Sequence, residues 1–211
     1  MISHAILGAL ALLAQDPDGD VDARYAACVA GVEAAPTAGF EAAARWEAFG
    51  GGAPAAHCLA LAEIARGRPR AGAERLAALA LDERGDPAVS ARLYQQAADA
   101  FLAAGLEERA VEAIDEALVA VPRAAELHAS AAKIYAAAGR WGRVASAVDA
   151  ADAEGAAAPG LIVLRGRARQ ALGDIEGAFE DVAEALRRDP ENVDALVLRG
   201  ELLQATAAVA R

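Results

Sequence analysis

The residues of this 211-residue chain whose types come nearest to chemistry are its only two cysteines, Cys28 and Cys58, and the histidine that precedes the second, His57. Such residues serve as a disulfide, as a nucleophilic thiolate or as metal ligands. A structural metal site draws on closely spaced ligand pairs, and the sequence holds neither a CxxC nor an HxxxH. On a helix, His57 and Cys58 point about 100° apart, which spoils a shared site with Cys28. No acid and base pattern is arranged around either sulfur to activate it. If the chain is exported, a Cys28–Cys58 disulfide is the natural reading, and closing that loop contributes about 3–4 kcal/mol on the chain-entropy model. The alternative is a pair of buried thiols packing as small apolar groups. His4 and His128 stand alone, and Gly50 to Gly52 lacks the Lys-Ser/Thr ending of a phosphate loop. No residue is read as catalytic, and no metal or cofactor is expected.

Charge narrows the partners. With a net charge of -11 the chain lacks the cationic surface that nucleic acid or an anionic lipid face requires, so neither is expected as a partner. Lys133 is the only lysine among 20 basic residues. The 63 alanines and scarce aromatics make helix propensity high throughout and demand close helix packing in place of bulky side chains.

Residues 1–14 carry Ile2, Ile6, Leu7, Leu10, Leu12 and Leu13, an apolar run too short to span a bilayer. It reads as a secretory signal with cleavage after Ala9-Leu-Ala11 or at Ala14, although His4 and the amino terminus are its only basic groups there. That places the protein in a bacterial periplasm. The alternative is a capping helix on a cytoplasmic protein, and stable membrane insertion is not expected.

The elements that would position any site follow a fixed period. Val-Leu-Arg-Gly occurs at Val163 to Gly166 and again at Val197 to Gly200, and the same offset of 34 residues separates Gly105, Gly139 and Gly173. It also aligns Ala110, Val144 and Ala178, then Ala117, Ala151 and Ala185, then Ala98, Ala132, Gly166 and Gly200. Each period holds two apolar-striped helices, with the glycine turn between them and a proline or small-residue turn at the exit. The units are 53–86, 91–124, 125–158 and 159–192, with an insertion at 87–90. Residues 15–52 read as a divergent N-terminal cap: a second-helix pattern ending at Pro36, then a short helix from Phe40 to Phe49. Residues 193–211 read as a half unit whose single helix closes the core.

On these residues the chain resembles the tetratricopeptide-repeat family, specifically over 53–204 and more loosely from residue 19. Gly173 to Pro190 is the strongest stretch, while Arg165 and Arg169 stand where apolar residues are more usual, so long side-chain stems are expected to pack there. The apolar start followed by two cysteines and a Gly-Gly-Gly turn also resembles small exported bacterial members of undefined role. The resemblance implies an all-α, right-handed solenoid whose concave face, lined by first helices, binds a peptide or a partner helix. Carried over by position, that face presents Arg92, Gln95, Asp99, Glu126, Lys133, Arg167, Gln170, Asp194, Glu201 and Gln204. The carboxylate clamp of some members needs Lys or Asn and Arg at the fifth and ninth positions of successive units. This chain has His57 and Leu61, Gln95 and Asp99, Ala129 and Lys133, Val163 and Arg167 there, which disfavours capture of a chaperone tail. A positive cluster of Arg165, Arg167, Arg169, Arg187 and Arg188 is expected to pair with Glu180, Asp181 and Glu184.

The function expected is thus a non-enzymatic interaction scaffold with a protein or peptide partner. Two alternatives stand beside it: homodimerisation through the last helix and its Leu196, Leu198, Leu202 and Leu203, and a thiol or metal enzyme at the Cys28, His57, Cys58 corner.

Overall fold

The computed structural model describes residues 17–209, which form eleven helices and no strand. The helices are α1 (Pro17–Ala34), α2 (Pro36–Ala48), α3 (Gly52–Ala65), α4 (Pro69–Asp82), α5 (Pro87–Ala103) and α6 (Glu107–Ala120). They continue as α7 (Ala125–Ala137), α8 (Trp141–Ala153), α9 (Pro159–Ala171), α10 (Ile175–Arg188) and α11 (Val193–Val209). The reading of 1–14 as a signal or capping helix lies outside the described residues.

The period dictates the hairpins. Gly67, Gly105, Gly139 and Gly173 all have positive φ, from 67° to 84°, in the turns after α3, α5, α7 and α9. A residue with a Cβ is disfavoured in that conformation, so a glycine at this place is what ends each first helix. The second helix then folds back on the first and packs also on the first helix of the next unit, building a right-handed α-solenoid. Alanine is the structural currency of these contacts: Ala98, Ala110, Ala117, Ala132, Ala151, Ala178 and Ala185 are all wholly buried. Between them sit the few large side chains, Phe101, Leu76, Ile114, Ile134 and Ile162. Proline opens α2, α4, α5 and α9 at a position where its missing N–H costs nothing.

Three features depart from the sequence expectation. Pro17–Ala34 is a first helix and not a second one, because it packs on both α2 and α3, and Pro36 opens α2 after a one-residue link at Ala35. Gly39 makes that tight hairpin possible, since a Cβ there would lie 2.6 Å from Val32 Cα. The insertion at 87–90 extends α5 at its start: Asp86 caps it by accepting from the Ala88 and Val89 amides, and Ser90 donates to the Ala80 carbonyl at 2.9 Å. Finally, α11 covers two of the four leucines read above as available to a partner helix. It buries Ala195, Leu198 and Leu202, while Val193, Leu196, Val197 and Leu203 stay exposed. Leu198 and Leu202 therefore belong to the core and are not offered to a partner.

The core has two parts. A continuous cluster runs from Ala60 through Leu202, and a smaller one gathers Val32, Ala43, Trp46, Ala55, Cys58, Leu59 and Ala62 under the N-terminal hairpin.

Candidate functional site

The first helices α1, α3, α5, α7, α9 and α11 line one face, and its polar side chains form hydrogen bonds from helix to helix. Tyr25 on α1 donates to His57 Nδ1 on α3 at 2.7 Å, and His57 Nε2 donates to Gln96 Oε1 on α5 at 2.7 Å. With its proton on Nε2 the ring satisfies both partners. Farther along, Gln95 donates to Ser130 Oγ on α7 at 2.7 Å, and Arg167 on α9 meets Glu201 on α11 at 3.4 Å. Lys133 pulls the Asp99 carboxyl down against the larger effect of burial, which raises it. Burial also raises the Tyr25 hydroxyl.

Of the residues carried over from the repeat frame, the structure thus joins Arg167 to Glu201 and brings Asp99 under the influence of Lys133. Gln95 turns to Ser130. Glu126, Asp194 and Gln204 are exposed and Gln170 is half-buried, and none of the four makes a side-chain bond among the described residues.

Arg92 leads to a feature that the frame did not contain. A cavity of about 400 Å³ opens where α1, α3 and α5 meet the end of α4. Its floor is apolar, from Ala53, Pro54, Leu79, Val89 and Leu93. Its rim is polar: Asp22 and Tyr25 from α1, His57 from α3, Glu83 beyond α4, Arg92 and Gln96 from α5. Asp22, Glu83 and Arg92 make no side-chain hydrogen bond or ion pair among the described residues. An apolar floor with unengaged polar groups around it is the usual chemistry of a recognition pocket. His57, at the fifth position of its unit, and Arg92, on the carried-over face, are the members legible in sequence. Tyr25 and Asp22 were missed because α1 lies outside the period.

The cysteine corner resolves as a disulfide. Cys28 on α1 is bonded to Cys58 on α3, with Cα atoms 6.3 Å apart. Both sulfurs are held in that bond and both His57 nitrogens are engaged, so the corner presents no thiolate and no free imidazole ligand. Among the described residues no group of three His, Cys, Asp or Glu is arranged to hold a metal ion, and no helix is long and apolar enough to cross a membrane.

The arginine cluster is neutralised in place, and not by snorkelling stems alone. Asp181, 2% exposed, receives Arg165 at 2.7 Å and Arg169 at 3.1 Å, and Arg165 also reaches Asp149 at 2.6 Å. Burial pushes the Asp181 carboxyl up, against the downward pull of both arginines. Arg187 and Arg188 hold the Glu184 carboxyl down to about 2, and Arg188 also reaches Asp152. Glu180 takes no part among the described residues. A second cavity of about 530 Å³ lies beside α6, α7 and α8. Tyr135 there donates to Asp115 at 2.6 Å, while Arg143 lies over its ring at 4.0 Å and bonds both, so the cluster is a satisfied joint between units.

No protein-family model matches the sequence, and no curated protein matches it. Solved structures do. The chain is similar to MamA protein (TM-score 0.67, 14% identity, covering 82% of this chain and 94% of that one). It is also similar to YrrB, described as a TPR protein with an unusual peptide-binding site (TM-score 0.63, 13% identity, 86% of each chain). A third is the first TPR of Spaghetti (RPAP3) bound to the HSP90 peptide SRMEEVD (TM-score 0.52, 23% identity, 56% of this chain and 93% of that one). At these identities the likeness shows the fold, which is the tetratricopeptide-repeat solenoid.

Proposed function

We propose that the chain is a non-enzymatic interaction scaffold whose inner groove seats a peptide or a helix of a protein partner, anchored at the α1/α3/α5 pocket. The carrying observation is the pocket itself: an apolar floor that takes a hydrophobic side chain, ringed by Asp22, Glu83 and Arg92 with nothing paired to them among the described residues. Peptide binding by solved relatives of the same fold supports the reading. The acidic chaperone tail is not the expected occupant. Asp99 stands at a clamp position, and Asp22 and Glu83 repel a carboxylate.

The test is selection of a peptide library on the oxidised full chain, followed by titration of a selected peptide against variants. Ala53→Trp fills the pocket floor and is expected to weaken binding at least tenfold with helix content unchanged. Equal affinity for wild type, Ala53→Trp and Arg92→Glu would remove the pocket as the site.

A bacterial periplasm is the compartment that fits this reading, because a disulfide between two helices persists where thiols are oxidised. Non-reducing intact mass of protein from periplasmic and cytoplasmic fractions decides it. A full-length cytoplasmic species with both thiols free would move the partner search to the cytosol.

Self-association is the second reading, favoured by the exposed stripe of Val193, Leu196, Val197 and Leu203 on α11. These positions repeat, 34 residues later, Pro159, Ile162, Val163 and Arg169 of α9, where Ile162 and Val163 are covered. A monomeric mass by light scattering at high concentration would eliminate it.

A further inference from the structure

We infer that the Cys28–Cys58 bridge is a redox latch on the recognition pocket: it holds α1 in place as the pocket wall, and its reduction by a dithiol lets α1 leave. The inference rests on the reading of the groove as a binding surface and adds its control.

The argument begins with how little else holds α1. Asp22, Tyr25, Cys28 and Val32 recur at three- and four-residue spacing and so lie along one stripe of the helix. Of that stripe only Val32 is buried, next to the Ala35 link, where it packs on Gly39. Tyr25 and Cys28 are half-buried, and Asp22 is exposed. Away from the link, and among the described residues, α1 is held by the partly buried Tyr25 and Cys28 against the small cluster, by the Tyr25 to His57 hydrogen bond, by Arg24 over the Trp46 ring at 5.1 Å, and by the covalent bond. The hairpin also rests on its own small cluster, shared with α3, apart from the continuous core that begins at Ala60 on α3 and runs to α11. A segment with so few buried apolar contacts is one that opens locally at low cost.

The second step is position. Tyr25 is one turn before Cys28, and His57 is the residue before Cys58, so the bridge and the pocket's hydrogen bond share the same two helices at adjacent places. Opening at Cys28 therefore removes Asp22 and Tyr25 from the rim and releases one partner of His57. The floor residues on α3 to α5 stay, but the pocket becomes an open shelf.

The exchange chemistry is balanced by a dithiol. Its thiolate attacks Sγ of Cys28, the less buried residue of the pair, and the S–S bond breaks with the buried Cys58 leaving as a thiolate that takes up a proton. The second thiol displaces Cys28 from the mixed disulfide. Two electrons and two protons pass to the cysteines, and the dithiol is oxidised to its own disulfide.

The experiment compares the oxidised chain with the same chain reduced by dithiothreitol, using hydrogen exchange of each helix and the emission of Trp46 in a Trp141→Phe background. Expected on reduction are at least tenfold faster exchange in α1, exchange in α5 to α10 within twofold of the oxidised protein, and a red shift of Trp46. Removing the dithiol and reoxidising restores all three. Protection of α1 unchanged by reduction would overturn the latch. Equal acceleration in every helix would overturn it too, since the bridge would then serve global stability. The Cys28→Ser/Cys58→Ser chain is expected to behave as the reduced form without any dithiol. In the binding arm, a peptide selected on the oxidised chain is expected to bind the reduced chain at least tenfold more weakly, and binding within twofold overturns the gating. Failure to select any peptide overturns the interaction reading alone, and the exchange comparison still decides the latch.

Discussion

Asp181 offers the sharpest test of how this solenoid is held together. Its side chain is 2% exposed, its main partner Arg165 is 12% exposed, and Arg169 completes the group at 3.1 Å. Removing one member of a buried ion pair leaves the other charge uncompensated, which typically costs about 3–5 kcal/mol. Here Arg165 keeps Asp149 at 2.6 Å, a carboxylate that is 58% exposed and well screened, so Asp181→Ala is expected at the low end, about 3 kcal/mol. The repeat frame supplies its own control. Positions 165, 169 and 181 correspond to Ala131, Tyr135 and Ala147 one unit earlier, and to Ala97, Phe101 and Ala113 two units earlier, all of them buried. The triple variant Arg165→Ala/Arg169→Phe/Asp181→Ala therefore installs a packing that the same architecture already uses, and it is expected within about 1 kcal/mol of wild type. Urea unfolding at neutral pH, with the midpoint shift read at constant slope, measures both. A single variant costing less than about 1 kcal/mol, or a triple variant as unstable as the single, would refute the argument that an uncompensated buried arginine is what the substitution leaves behind.

Gly72→Ala is expected to destabilise by about 1–3 kcal/mol in a thermal melt despite the better helix propensity of alanine, because its Cβ would lie 2.6 Å from the Ala60 carbonyl oxygen on α3. Gly105→Ala is expected to cost about 1–2 kcal/mol through its positive φ of 70° alone, since nothing crowds the site. Glu184, held down to about 2 by Arg187 and Arg188, has a folded value below its unfolded one. Its stabilising contribution is therefore present above the ordinary glutamate range near 4.5 and lost as pH falls through about 2. Carboxyl NMR titration should place the Glu184 transition near 2, and Glu184→Gln should remove that part of the acid dependence. For a peptide selected on the groove, Arg92→Glu is expected to cost more affinity than Lys133→Glu or Arg167→Glu, as titration calorimetry on the three variants can check.

What could be read from sequence was whatever repeats. The glycine turns at 105, 139 and 173, the buried alanine columns and the exit turns follow from one period, because each unit must bury the same stripe against the same kind of neighbour. The disulfide was legible as a pairing of the only two cysteines. What escaped was whatever happens once. Arg165 and Arg169 were visible as intruders in an apolar column, yet their buried counter-ion sits on α10, and pairing between helices leaves no periodic trace. Pro36 looked like the end of a unit because proline stops helices, whereas here it starts one. That single misreading hid α1 as a first helix and kept Tyr25 and Asp22 out of the list of groove residues.

The same contrast between repeated and singular features bears on where a partner binds. Along the rest of the inner face two polar pairs are engaged with each other, Gln95 with Ser130 and Arg167 with Glu201, so a ligand that meets those groups must exchange one hydrogen bond for another at little net gain. At the N-terminal end the four-residue insertion lengthens α5 and the irregular hairpin adds α1, and between them they enclose an apolar floor with three unengaged charges. A ligand that covers that floor gains burial and can pair charges that have no partner among the described residues. Specificity in a repeat scaffold is thus expected where the repeat breaks, and in this chain the break coincides with the one covalent bond between helices.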